Sequence, residues 1–340
     1  MIFSKENTKQ VKGAAIFCMI AFHLFGFPER VPSNIDHSWF GCPITKALQI
    51  CVPIYLFMAG YGLQSIAAKG IVTWIGIARR LRKLYASYWW IISPFVILGL
   101  FIGYYSFDVK EILCNYIGLT SSYNGEGWFF SLYVELLMLF YFISRIRLEW
   151  KRYLVLMITI LFIARGANKF LHWNECIIYQ RHLKMILVDL NIFMLGCFYS
   201  KFDIFGRLYN KYAFLFDNFM VAPLLLVFPL FVRAYVPMIG ITELFVVPIF
   251  IIGVVNVCKL RGGGKFFSFL GRHSMNLWLI HSFFIYYYLN SITFLINIPI
   301  IMLIIVLACS LMCSIGIDEV RNNILFCIHR HDHKYIENKK

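Results

Sequence analysis

Residues 296–316 read INIPIIMLIIVLACSLMCSIG, a run without a charged side chain. Wound as a helix at about 1.5 Å per residue, such a run covers the roughly 30 Å hydrocarbon core of a bilayer. Further apolar blocks recur upstream at roughly 11–27, 47–68, 86–105, 127–144, 153–165, 184–200, 213–232, 240–258 and 273–290; the fifth is short. The pattern predicts an all-α, polytopic transmembrane helix bundle of about ten spans. Composition agrees: 60% of the 340 residues are hydrophobic and only 14% are charged, against about half and about a quarter in a soluble domain. A soluble enzyme, a disordered chain and a secreted disulfide scaffold are all excluded. The net charge of +15 would suggest nucleic acid only if the lysines and arginines shared a water-facing surface, which this apolar content does not leave.

The basic residues instead report orientation. If all ten blocks cross with the N-terminus cytoplasmic, 24 of the 32 lysines and arginines fall in cytoplasmic segments, as the positive-inside rule requires. Both termini are then cytoplasmic, and residues 321–340 form a polar cytoplasmic tail to a single membrane domain spanning 1–340. The basic lead of Lys5, Lys9 and Lys12 before an apolar run resembles a signal peptide. No small-residue cleavage site follows, so it reads as an uncleaved first helix. The cysteines form no C-x-x-C pair and read as reduced thiols acting as small hydrophobes. Cys327, His329, His331 and His333 sit in the polar tail, and no metal site is expected there.

Ionisable side chains at membrane depth are expensive and so mark function. They are His23, Glu135, Asp189, Glu243 and His281. Lys12 and His23 are eleven residues apart, which on a helix returns to within about 20° of the same face over about 16 Å. A cation at the mouth and a titratable imidazole deeper in suit a long anionic donor lying along that face, as against a snorkelling lysine and a packed histidine. Arg79, Arg80, Arg82 and Lys83 crowd five residues beside an aromatic belt. Topology and anionic lipid explain such a cluster; a phosphate site is the sharper alternative. Ser274, Trp278 and His281 share one face of the ninth block. Residues 106–126 and 166–183 read as longer outer segments, the first ending in the turn-rich Ser121–Gly127 before Trp128.

Together these features resemble the integral membrane acyltransferase-3 family, the bacterial O-acyltransferases of cell-surface glycans. Lys12 through His23 is similar to the family's Arg/Lys-x10-His signature. Val52 through Tyr61 resembles its second-helix motif, with Ala59 where serine is frequent. Arg80-x-x-Lys83 resembles its Arg-x-x-Arg motif, and Arg79-x-x-Arg82 fits in another register. Trp128-Phe129 with Tyr133 and Glu135 resembles the fourth-helix pattern; Phe193–Gly196 and Ser274 through His281 resemble the later ones. Ala86 departs from a common proline and Trp278 from a common tyrosine.

The resemblance implies a multi-pass protein of the bacterial cytoplasmic (inner) membrane. It would transfer an acetyl or other short acyl group from acyl-CoA, with no permanently bound cofactor, to a hydroxyl of a surface polysaccharide or lipid-linked sugar. His23 is then the expected base or transient acyl carrier, with Glu135 orienting it or the acceptor. Lys12, Arg79, Arg80, Arg82 and Lys83 are expected at the donor phosphates, and Trp128, Tyr133 and His281 at the acceptor. Membrane lipids surround the chain; some relatives carry a fused extracytoplasmic hydrolase-like domain, and here the resemblance implies either direct transfer or a separate extracytoplasmic partner. Two rivals use the same residues: a secondary transporter of an anionic metabolite or lipid-linked sugar, and a membrane acyltransferase of another fold.

Overall fold

The computed structural model describes residues 3–216, 218–236, 240–260 and 263–337. Every regular element among them is helical. In chain order they are α1 (Lys5–Phe25), α2 (Pro43–Ala47), α3 (Cys51–Ala67), α4 (Trp74–Phe101), α5 (Val109–Tyr116), α6 (Trp128–Ile143), α7 (Trp150–Phe170), α8 (Ile178–Lys201), α9 (Ile204–Phe216), α10 (Val221–Tyr235), α11 (Glu243–Leu260), α12 (Gly264–Arg272), α13 (Ser274–Ile285), α14 (Asn290–Thr293) and α15 (Pro299–Glu337). Each apolar block falls on helical segments, that at 213–232 being shared between the end of α9 and most of α10. Among the described residues, however, only seven stretches are both long and apolar enough to cross a membrane: Pro43–Ala67, Trp74–Phe101, Gly125–Ile143, Trp150–Phe170, Ile178–Lys201, Glu243–Leu260 and Pro299–Cys327. α10 and α13 are shorter, and α1 carries Lys5, Glu6, Lys9 and Lys12 in its first turns. The backbone of α15 continues into the stretch expected as a tail. The side chains of His329, His331 and His333 lie outside the described residues.

Helix starts follow side-chain chemistry. Ser4 caps α1: its hydroxyl accepts from the Asn7 amide at 3.0 Å, and the Asn7 side chain accepts from the Ser4 amide at 3.1 Å. Both satisfy donors that the first turn leaves unpaired. Thr73 does the same for α4, accepting from the Gly76 amide at 3.1 Å.

Packing between helices relies on glycine. In lipid there is little hydrophobic gain from helix association, so small residues that let backbones touch carry it. A Cβ on Gly60 of α3 would lie 2.0 Å from the Phe193 carbonyl of α8, and one on Gly196 of α8 would lie 2.0 Å from the Phe57 carbonyl of α3. The same reciprocity joins α1 to α12, where Gly13 faces the Phe267 carbonyl and Gly271 faces that of Lys9. α1 is thereby clamped at its polar end, and its middle, from Val11 through Leu24, is mostly buried.

The segment 106–126, expected as an outer loop, folds back into the bundle. α5, capped by Asp108, and the residues after it lie along the middle of α4. Tyr85 donates to the Ile117 carbonyl at 2.8 Å, Tyr88 to that of Asn115 at 3.2 Å, and Trp89 to that of Tyr116 at 2.9 Å. A helix end leaves its last carbonyls open unless other groups donate to them. Here the tyrosines and tryptophan of α4 do so.

Candidate active site

His23 lies in the last turn of α1 and is 8% exposed; His281, on α13, is fully buried. Their rings stack at 4.9 Å between centroids, with His23 Nδ1 2.6 Å from His281 Nε2. The protons can be placed from the far end. His281 Nδ1 is 2.9 Å from the Leu277 carbonyl, and a carbonyl only accepts, so Nδ1 carries hydrogen. A neutral His281 then accepts at Nε2, and His23 donates to it from Nδ1. This leaves the lone pair of His23 Nε2 facing Glu126 Oε2 at 3.1 Å. A single proton between those two atoms gives either an acid beside an imidazole or a carboxylate beside an imidazolium.

Glu126 reaches this place because the turn before α6 is anchored at both faces. Asn124, 2% exposed, donates to the Leu279 carbonyl at 2.7 Å and accepts from Ser282 at 3.0 Å. It also accepts from the Glu126 amide at 3.1 Å, while the Tyr287 hydroxyl accepts from the Gly125 amide at 2.7 Å. The far end of α1 is tied as well, since Tyr286 donates to the His23 carbonyl at 2.5 Å, filling an acceptor that a helix C-terminus leaves open.

Two cavities meet here. One, of about 250 Å³, is lined by His23, Glu126, Arg30, Gln49 and Trp128. The other, of about 210 Å³, is lined by Lys12, Tyr55, Tyr133, Leu84 and Ser274. Met19, Phe129 and Trp278 line both and form the wall between them; Phe129 and Trp278 meet edge to face at 5.4 Å. Met19 is seven residues after Lys12 and four before His23, so one face of α1 presents cation, wall and imidazole in sequence. Lys12 is half-buried, and no acidic side chain pairs with it among the described residues. An unneutralised ammonium lining a cavity suits an anion.

The other expected residues scatter. Trp128 lines the His23 cavity, whereas Tyr133 lines the Lys12 cavity. His281 spends both ring nitrogens on His23 and Leu277, which makes it a support for His23. Arg80 lines a third cavity with Lys69 and Thr73, one turn before Leu84 of the Lys12 cavity; Arg79, Arg82 and Lys83 are exposed. Glu135 pairs with His182 Nδ1 through one oxygen, and its other oxygen is buried without a partner. His182 Nε2 is in turn 3.2 Å from the Leu119 carbonyl. Glu126, not Glu135, is the carboxyl at His23. Sequence reasoning passed over it because it stands in a polar, turn-rich stretch. The available signal was that stretch itself, which opens directly into the apolar run at Trp128.

Among the described residues, no three His, Cys, Asp or Glu side chains converge as metal ligands. The family model of the acyltransferase-3 acyltransferase domain matches residues 9–319. No curated protein and no solved structure matches the chain. The matched range takes in both cavities, the wall between them and every residue of the His23 cluster, and the chain therefore belongs to the acyltransferase-3 family of membrane acyltransferases.

Proposed function

We propose that the protein moves an acetyl or other short acyl group from acyl-CoA to a sugar hydroxyl of a cell-surface glycan or its lipid-linked precursor. The observation that carries this reading is the pair of cavities. An unpaired cation lines one, an imidazole–carboxyl pair lines the other, and three side chains separate them. Lys12 receives a donor phosphate, with Arg80 of the neighbouring cavity one helical turn before Leu84 of this one. The acyl end extends past Met19 towards His23. With His23 neutral and Glu126 ionised, a sugar hydroxyl beside them gives up its proton to the pair, which then holds that one proton between imidazole and carboxylate. The freed oxygen attacks the thioester carbonyl, the carbon–sulfur bond breaks, and the CoA thiolate leaves to be protonated from the pair or from water. General-base help of this kind is worth about 10²–10⁴ in rate.

The donor arrives from the cytoplasm in this account, with both termini on that side, about ten crossings, and α1, α10 and α13 completing the seven longer spans. A bacterial inner membrane is the setting that fits such a donor and acceptor. Purified protein supplied with acetyl-CoA and a glycan or lipid-linked sugar fraction should release CoA thiol and acetylate the fraction. Uptake of solute without thiol release would favour a transporter instead.

A further inference from the structure

Resting on that reading, we propose that the acceptor is an acidic sugar, whose carboxylate or phosphate is held by Arg30 at the mouth of the His23 cavity. Arg30 ends the short turn Pro28–Arg30 that follows α1. Its guanidinium carbon lies 4.4 Å from the ring centre of Phe27 and 4.8 Å from that of Tyr286. The same two rings lie 6.2 and 6.1 Å from the His23 imidazole. Each aromatic ring therefore spans from the guanidinium to the imidazole, and Arg30 lines the same cavity as His23 and Glu126.

The rings fix the position of the guanidinium through cation–π contact and a hydrogen bond from it to the Tyr286 hydroxyl, and the remaining N–H groups of its fork stay available. Those groups match the two oxygens of a carboxylate or phosphate. No carboxylate lies within ion-pair distance of Arg30 among the described residues; Glu126 is turned to His23, and the neighbouring Glu29 is exposed. A neutral acceptor would leave this fork with nothing to bind. An acidic one is held by its charge one ring away from the base, so that a hydroxyl of the same sugar meets His23. Arg30 acts as a specificity residue, outside the proton transfer itself.

The test is equilibrium binding to the purified full-length chain without acyl donor, comparing galacturonate with galactose and glucose 1-phosphate with glucose. In each pair the acidic member should bind tenfold or more tightly, Arg30→Gln should reduce that preference to within twofold, and saturating CoA should leave it intact. The proposal is overturned if neutral sugars bind as well as acidic ones or nothing binds. It is also overturned if the preference survives Arg30→Gln, if CoA displaces the acidic sugar, or if inorganic phosphate binds as tightly as glucose 1-phosphate. The wild-type melting temperature should persist in Arg30→Gln, since the side chain is exposed. Binding is read without turnover, so a failure here is separable from failure of the acyltransferase reading, which CoA release from acetyl-CoA measures independently.

Discussion

Glu126→Gln separates this site from every alternative arrangement of the same residues. Glu126 Oε2 stands 3.1 Å from His23 Nε2, and the hydrogen bond to His281 commits the other nitrogen of His23 to donating. A glutamine amide can still donate to the Nε2 lone pair, so the contact survives and the buried turn stays satisfied. What disappears is the carboxylate that shares the proton taken from the acceptor. Losing that base function should lower kcat by about 10²–10⁴, or about 3–5 kcal/mol of transition-state stabilisation. The KM for acetyl-CoA should stay within about threefold, since Lys12 lies beyond the Met19–Phe129–Trp278 wall. The assay is thiol release from acetyl-CoA by purified protein, with the melting temperature as the folding control. Glu135→Gln is the internal comparison. Its carboxyl is bonded to His182, and the substitution should leave kcat within a few-fold of wild type. The reverse order of effects, with Glu135→Gln inactive and Glu126→Gln active, would remove Glu126 from the proton transfer.

Other substitutions probe the remaining parts. Lys12→Gln should raise the KM for acetyl-CoA tenfold or more with a smaller change in kcat, measured by initial rates across donor concentration. Asn124→Ala removes the bonds to Leu279 and Ser282, so it should lower the melting temperature and reduce kcat tenfold or more. Gly196→Val puts a side chain where a single Cβ already lies 2.0 Å from the Phe57 carbonyl. Solubilised yield should collapse, as judged by size-exclusion chromatography of the detergent extract.

The bundle was legible because hydropathy along the chain is a local property, and every expected block is helical, although that at 213–232 is divided between α9 and α10. The alignment of Lys12 and His23 was equally legible, since helix geometry alone puts positions eleven apart on one face. The number of crossings is less legible, because seven stretches reach membrane-spanning length among the described residues and the rest are shorter helices. α13 buries nearly all of its length against protein, so a 12-residue helix extended by its neighbours reads like a full span. The carboxyl partner of His23 was hidden for a different reason. Glu126 is placed at His23 by bonds from Asn124 to residues more than 150 positions away, and nothing in its own neighbourhood announces that. Glu135, conspicuous as a charge inside an apolar run, is accounted for by His182, which lies in a stretch that reads as an outer loop but is the second turn of α8. His281 shared the expected face with Trp278, yet its support of His23 emerges only from the Leu277 carbonyl that fixes its protons.

In the proposed reaction the Lys12 and His23 cavities serve one acyl transfer across the Met19–Phe129–Trp278 wall. Its most direct measurement follows radiolabelled acetyl-CoA incubated with purified protein and a glycan or lipid-linked sugar fraction, for wild type and His23→Ala. Wild type should show stoichiometric CoA release and label in the sugar fraction, with neither above background for His23→Ala at unchanged melting temperature. Wild-type rates of label transfer in His23→Ala would contradict a role for His23 in that transfer.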